Sequence, residues 1–130
     1  MSKDYTKLKA LIVDDDPVLR VIITKELGSV GIQSQVASNG TDAIQSLKDS
    51  KFDFILMDIS MPGQDGLDAT RWIRDMKDTV NQSIPIFAVT SFSSEEHTAE
   101  ILEAGFNEHL PKPFDLIKLL RSLDKYFPYQ

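Results

Sequence analysis

The chain has 130 residues, 42% of them hydrophobic, and a formal net charge of −6 at pH 7. This length suits one domain with a hydrophobic core. An acidic chain lacks the clustered Lys and Arg of nucleic-acid binders, so we expect no nucleic-acid partner. The absence of cysteine excludes disulfides and thiolate metal sites, and no apolar run approaches the roughly 20 residues of a membrane span. We therefore expect one cytoplasmic domain over residues 1–130, without membrane association.

Short apolar runs alternate with amphipathic segments along the whole chain. The runs that predict strands, each bounded by polar or turn residues, are 8–13, 32–37, 53–57, 86–89 and 107–110. The predicted helices begin at capping residues and cover Asp16 to Gly31, a short segment after Asn39, Asp65 to Val80, Ser93 to Ala104, and Asp115 to Phe127. In the first helix the apolar residues at helical spacing are Leu19, Ile22, Ile23, Leu27 and Val30. This alternation predicts a doubly wound α/β fold, a parallel sheet with helices on both faces.

Four of the five predicted strands end at chemically reactive side chains. The first strand runs into Asp14 and Asp15, the third into Asp58, the fourth into Thr90 and the fifth into Lys112. Because the carboxyl ends of parallel strands lie along one edge of the sheet, residues far apart in sequence converge there. The sequence therefore predicts a polar site that joins these five side chains.

The charges of these side chains indicate what the site does. Carboxylates gathered within ~4 Å repel by roughly 4 kcal/mol per pair at an effective dielectric near 20, which a single lysine cannot offset. A divalent cation can, and oxygen ligands without His or Cys indicate Mg²⁺. A metal-bound carboxylate beside a lysine and a hydroxyl has the parts of a phosphoryl-transfer site. We assign Asp58 as the nucleophile that forms an acyl phosphate, Lys112 as the residue that neutralises phosphoryl charge, and Thr90 as a hydrogen-bond donor.

At these residues the chain resembles the response-regulator receiver domains of two-component systems, which have a chemotaxis-regulator-like fold, from about Lys9 to Phe127. The matching stretches are LIVDDD (11–16), FILMDISMPGQDG (54–66), FAVTS (87–91) and HLPKPF (109–114). Each is weak alone, whereas the four in this order are specific. The resemblance implies a flavodoxin-like five-stranded sheet of order 2-1-3-4-5 with five helices on both faces, and often a cis bond between Lys112 and Pro113.

The resemblance also implies roles for single residues. Asp58 is similar to the phosphoaccepting aspartate of the family, Thr90 to its switch hydroxyl and Lys112 to its active-site lysine. The metal ligands that it implies are Asp15 directly, Asp14 through water, Asp58, and the backbone carbonyl of Ser60. The family usually has Tyr or Phe at a second switch position, where this chain has His109.

The function implied is that of a signalling switch rather than a metabolic enzyme. A histidine kinase or a histidine phosphotransfer protein would donate phosphate to Asp58. The phosphorylated domain, a monomer or weak dimer, would contact a downstream protein through its fourth helix, fifth strand and fifth helix.

Three alternatives remain open at this point. Asp14-Asp15-Asp16 superficially resembles the Asp-x-Asp motif of Mg²⁺-dependent phosphatases of the haloacid-dehalogenase type, but the expected Gly-Thr is missing and the chain is short. A flavin-binding domain would need a Ser/Thr/Gly-rich loop where this chain is acidic. A receiver-like module that no longer takes phosphate would be expected to lack site residues, and all of them are present.

Overall fold

The computed structural model describes residues 4–59, 65–76, 82–91 and 95–127, which form five strands and five helices. The strands are β1 (Lys9–Val13), β2 (Gln33–Ala37), β3 (Phe54–Asp58), β4 (Ile86–Thr90) and β5 (Glu108–Pro111). The helices are α1 (Pro17–Gly28), α2 (Gly40–Asp49), α3 (Asp65–Arg74), α4 (Glu95–Ala104) and α5 (Leu116–Tyr126). Each strand boundary lies within one residue of its prediction. Among these described ranges, no helix has both the length and the apolar content to span a membrane.

The five strands form one parallel sheet in the order β2-β1-β3-β4-β5. This is the 2-1-3-4-5 order that the sequence predicts. The strand order reverses direction at β1 and β3, and in such sheets the crevice at the carboxyl ends of these two strands is where ligands bind. In the register, Val13 of β1 lies beside Met57 of β3, so the residues that follow them are neighbours.

Two hydrophobic cores cover the two faces of the sheet. One core joins strand residues such as Val13 and Met57 to α2, α3 and α4. The other joins Ile12 and Leu56, their neighbours in sequence, to α1 and α5. Successive residues of a strand point to opposite faces, which explains why the central strands carry apolar residues on both faces. β3 is buried along its whole length, and its last residue is Asp58.

Three helices begin at capping residues, and the sequence predicts two of these caps, Asp16 and Asp115. Asp16 accepts hydrogen bonds from the backbone N–H groups of Val18 and Leu19, and Asn39 and Asp115 cap α2 and α5 in the same manner. Each cap satisfies backbone donors that have no partner within the helix. The predicted cap of α4, Ser93, lies outside the described residues.

The first helix is shorter than predicted. It ends at Gly28 rather than Gly31, because the chain turns back into β2 through Gly31, which has φ +84° and packs against Thr6. The buried stripe of α1 consists of Ile23 and Leu27. The apolar residue Ile22, which fits the same spacing, is 46% exposed, because it lies beside this stripe and faces solvent.

The third helix is also shorter than predicted. We expected it to continue to Val80, but it ends at Arg74, and the backbone N–H of Met76 bonds to the Ile73 carbonyl as the last turn tightens. At this helix end the Arg74 guanidinium bonds to the loops before β4 and β5. Residues 77–81 lie outside the described part of the chain.

Candidate functional site

Three carboxylates meet at the carboxyl edge of the sheet, the edge formed by the C-terminal ends of the strands. One oxygen atom from each of Asp14, Asp15 and Asp58 lies within 4.8 Å of the other two. Asp14 and Asp58 are buried, at 1% and 3% exposure, whereas Asp15 is exposed. The predicted convergence of Asp58 with Asp14 and Asp15, which lie more than 40 positions earlier in the sequence, is therefore present.

Asp14 is held by hydrogen bonds through its backbone and through its side chain. Its backbone N–H donates to the Ala37 carbonyl at 3.0 Å, and its Oδ1 accepts from the Asp16 backbone N–H at 2.9 Å. Its Oδ2 is buried, and no donor reaches it from the residues that the structure describes. Burial raises the pKa of the Asp14 carboxyl from its ordinary value of 3.8 to about 6, and the negative charge of Asp58 acts in the same direction.

The third acid of the run, Asp16, does not join the cluster. Its carboxylate caps α1 instead, as the following proline predicts. Asp14 and Asp15 thus belong to the acidic cluster, whereas Asp16 caps the start of α1.

Lys112 and Thr90 complete the carboxyl edge on the other side of Asp58. The Lys112 Nζ lies 3.2 Å from Asp58 Oδ1, and the Lys112 backbone N–H donates to the Thr90 carbonyl at 2.8 Å. Thr90 is fully buried and lies one residue beyond Val89, the partner of Asp58 in the sheet register. The Lys112-Pro113 bond is cis, as expected from the resemblance. The structure therefore brings all five predicted side chains to one edge.

The acidic cluster fits a metal site. All of its ligand atoms are carboxylate oxygens, the type that hard divalent cations such as Mg²⁺ and Ca²⁺ bind, and the buried Asp14 Oδ2 accepts from no donor among the described residues. A cation would supply what the described residues do not. Ser60, whose carbonyl we expect as a further ligand, lies outside the described residues.

Two residues of the site were missed in the sequence. Arg20 donates from Nη1 to the backbone carbonyl of Asp14 at 2.8 Å, and only its position one turn beyond the Asp16 cap hints at this. Gly66, in the first turn of α3, packs so tightly that a Cβ atom there would lie 2.5 Å from the Asp58 carbonyl oxygen. The Asp65-Gly66 pair reads as an ordinary turn in sequence.

His109 lies in β5 beside Ala88 of β4 and is half-buried. This is the position that the sequence predicts for it, and its role in switching stays a prediction.

The sheet order, with an acidic cluster and a lysine at its carboxyl edge, defines a domain of the flavodoxin-like doubly wound class. The family model of the response regulator receiver domain matches residues 10–124. Chemotaxis protein CheY-3 of Vibrio cholerae is 36% identical over 121 residues, which cover 92% of each chain. Sensor histidine kinase RcsC of Escherichia coli is 33% identical over 95% of this chain, which spans only 12% of the length of that relative.

Solved structures agree with these sequence matches. The receiver domain of sensor histidine kinase PA1611 from Pseudomonas aeruginosa, which has a magnesium ion coordinated in its active site cleft, superposes with a TM-score of 0.81 at 34% identity, covering 92% of this chain and 96% of the other. Chemotaxis protein CheY4 of Vibrio cholerae has a TM-score of 0.82 at 28% identity, covering 91% and 97%. The chain therefore belongs to the response-regulator receiver domain family of two-component systems, and a haloacid-dehalogenase-type phosphatase is not supported.

Proposed function

We propose that Asp58 accepts a phosphoryl group from a phosphohistidine, with Mg²⁺ held by Asp14, Asp15, Asp58 and the backbone carbonyl of Ser60. The observation that carries this proposal is the approach of three carboxylates to within 4.8 Å. Repulsion among them makes a divalent cation the natural complement of the cluster. The magnesium ion in the cleft of the similar PA1611 receiver domain supports the choice of metal.

The Asp58 carboxylate is the only nucleophile that the transfer needs. An oxygen of Asp58 forms a bond to phosphorus while the bond from phosphorus to the imidazole nitrogen of the donor breaks. The nitrogen keeps the electron pair, and the ring, already protonated on its other nitrogen, leaves as neutral imidazole. The product is an acyl phosphate on Asp58.

The other residues of the site act on the charge of the phosphoryl group. Mg²⁺, when bound, neutralises the carboxylates and the phosphoryl oxygens so that the anions can approach. Lys112, now paired with Asp58, is close enough to turn its ammonium group to a phosphoryl oxygen once the carboxylate is phosphorylated. Thr90, at the end of the adjacent strand, supplies a hydroxyl donor on the same side.

The donor in this proposal is a histidine kinase or a histidine phosphotransfer protein. The similarity to a segment of RcsC, a sensor histidine kinase, supports a phosphohistidine as the source. The phosphorylated chain then binds a downstream protein through α4, β5 and α5, where Leu102 and Ile117 are more than half exposed and where His109 lies. In this proposal residues 1–130 act as one cytoplasmic domain, a monomer or weak dimer, without nucleic-acid or membrane contact, and they catalyse only their own phosphorylation and slow dephosphorylation.

Phosphorylation by acetyl phosphate tests the assignment of Asp58. The wild-type chain, incubated with acetyl phosphate and Mg²⁺, should gain one acid-stable but base-labile and hydroxylamine-sensitive phosphoryl group, measured by intact mass. Asp58→Asn should gain none, because the amide is not a nucleophile. Asp75→Asn, which removes the same charge at an exposed position outside the site, is the matched control and should label like the wild type.

The same series should be repeated with EDTA in place of Mg²⁺, where labelling should fall at least tenfold. Equal labelling of Asp58→Asn and the control would refute the assignment of Asp58, and labelling that is independent of the metal would refute the assignment of Mg²⁺.

A further inference from the structure

The peptide that joins Asp14 to Asp15 is held by a side chain from α1. The Arg20 Nη1 donates to the Asp14 carbonyl at 2.8 Å, while the Asp14 N–H is bonded to Ala37 on β2. The carbonyl of Asp14 and the N–H of Asp15 share one rigid plane. The Arg20 bond therefore fixes the plane from which the Asp15 side chain departs.

The Asp15 carboxylate has little else to direct it. It is exposed, and within the described part of the chain no hydrogen bond or salt bridge restrains it. Asp14, by contrast, is fixed by burial and by the Asp16 N–H. The orientation of Asp15 thus depends on its backbone, and hence on Arg20.

The position of Arg20 suits this task. Its backbone N–H bonds to the carbonyl of the helix cap, Asp16, at 3.0 Å, so the start of α1 and the acidic loop form one unit. Its half-buried side chain lines a surface hollow of about 410 Å³ together with Ala37 and Ser38, at the end of β2. This is the same strand end that accepts the Asp14 N–H.

We propose that Arg20 is a positioning residue of the metal site, which aims the Asp15 carboxylate at the cation by holding the Asp14–Asp15 peptide. This inference rests on the proposed magnesium site. It also predicts that loss of Arg20 changes the affinity for Mg²⁺ in the direction opposite to the one that charge alone would give. A guanidinium near the site repels Mg²⁺, so a purely electrostatic role means that its removal tightens metal binding. Loss of a positioning contact weakens it.

Titration calorimetry with Mg²⁺ distinguishes tighter from weaker binding in the Arg20 variants. Arg20→Met, which is neutral and similar in length, should raise the Kd for Mg²⁺ about tenfold, since a hydrogen bond from a charged donor is lost. Arg20→Lys keeps one donor and should stay within about threefold of the wild type. Lys25→Met removes the same charge from an exposed position of α1 and should change the Kd less than about twofold.

Two further measurements exclude general unfolding. In the metal-free protein, the amide NMR signals of Asp14 and Asp15 should shift in Arg20→Met and not in Lys25→Met, while the two variants melt alike. At saturating Mg²⁺, the rate at which acetyl phosphate labels Arg20→Met should recover to within about twofold of the wild type, because Arg20 touches neither Asp58 nor Lys112.

An unchanged or lower Kd in Arg20→Met would overturn the role of Arg20 and leave the proposed function intact. Absence of Mg²⁺ binding in the wild type would overturn the proposed function, and the positioning role with it. If Arg20→Met does not fold, Arg20→Gln, which removes the same charge with a polar side chain, takes its place: a raised Kd for Mg²⁺ with normal melting supports the positioning role, and an unchanged or lower Kd overturns it.

Discussion

A charged group at one edge of the sheet has several hydrogen-bond partners, whereas one at the other edge is only partly paired. At the amino edge, where the strands begin, the half-buried Arg74 donates to the carbonyls of Gly105, Gln82 and Ile84 and to Asn107 Oδ1, at 2.7 to 2.9 Å. At the carboxyl edge, Asp14 is buried among like charges, and its Oδ2 has no donor among the described residues.

The contrast separates a structural charge from a functional one. The Arg74 cluster, formed by Arg74, Gln82, Ile84, Gly105 and Asn107, is complete in itself and joins α3 and α4 to the loops that enter β4 and β5. The acidic cluster fits a divalent cation, and the buried Asp14 Oδ2 has no donor among the described residues. Since buried polar groups in folded proteins are nearly always satisfied, an unsatisfied acid at a ligand-binding edge indicates a group that is satisfied from outside.

Removal of Arg74 should have the largest effect on stability. Arg74→Met removes the charged donor from the buried Ile84 carbonyl and the half-buried Gly105 carbonyl, and we expect a loss of about 2 to 3 kcal/mol in the free energy of unfolding. Arg71→Met on the same helix breaks only an exposed pair with Asp68 and should cost less than about 0.5 kcal/mol. Urea unfolding of both variants checks this. Equal stability of the two would mean that the Arg74 cluster contributes nothing to the fold.

Removal of a charge at the carboxyl edge should instead raise the free energy of unfolding. Folding raises the pKa of Asp14 from 3.8 to about 6, so the folded metal-free protein loses stability as the pH rises through this range. Asp14→Asn removes that penalty, and we expect it to stabilise the metal-free protein by about 2 kcal/mol at pH 7 and hardly at pH 4.

Urea unfolding of Asp14→Asn in EDTA at these two pH values provides the measurement. A variant that is less stable than the wild type at pH 7 would show that the ionised Asp14 does not destabilise the metal-free protein, and the contrast with the Arg74 cluster would be lost.

Gly66 tests how closely the carboxyl edge is packed. The Cβ atom of Gly66→Ala would lie 2.5 Å from the Asp58 carbonyl oxygen, a contact that must displace either α3 or the end of β3. We expect a loss of about 1 to 2 kcal/mol and a weaker Mg²⁺ site. Gly28→Ala, at the end of α1, meets no atom within 4 Å and should be neutral or slightly stabilising. Similar thermal melting of the two variants would refute the packing argument.

Thr70 tests whether every unsatisfied buried group marks function. Its hydroxyl is fully buried in α3 and, among the described residues, has no partner. It lacks charge and a cluster of like groups, so we assign it no site. Thr70→Val should stabilise the fold by up to about 1 kcal/mol and leave Mg²⁺ affinity unchanged. A change in that affinity would extend the site to α3.

The sequence predicted the parts of this fold that depend on local pattern. Apolar runs placed all five strands to within one residue, and Asp16 and Asp115 marked helix starts because their side chains cap the residues that follow them. Strand ends then predicted which side chains meet, because a parallel sheet aligns its carboxyl ends. The strand order and the cis bond at Lys112 came from the family resemblance rather than from the residues themselves.

The features that sequence missed depend on contacts across the fold. α3 ends at Arg74, whose guanidinium binds acceptors 8 to 33 residues away, and helical spacing contains no sign of these contacts. Arg20 bonds to a backbone carbonyl, and carbonyls are the same at every residue. Ile22 matches the apolar spacing of α1, yet only the position of the sheet decides which of two adjacent isoleucines is buried.

We propose that the acidic cluster carries more negative charge than the protein balances and that a divalent cation balances the rest. Titration calorimetry of the wild-type chain with Mg²⁺ at pH 7.5 and pH 5 tests it directly. Protonation of Asp14, with a pKa of about 6, competes with the metal, so we predict binding at pH 7.5 with release of a proton to the buffer at lower pH, and an affinity about tenfold weaker at pH 5. No heat of binding at pH 7.5, or an affinity that is the same at both values, would contradict this account.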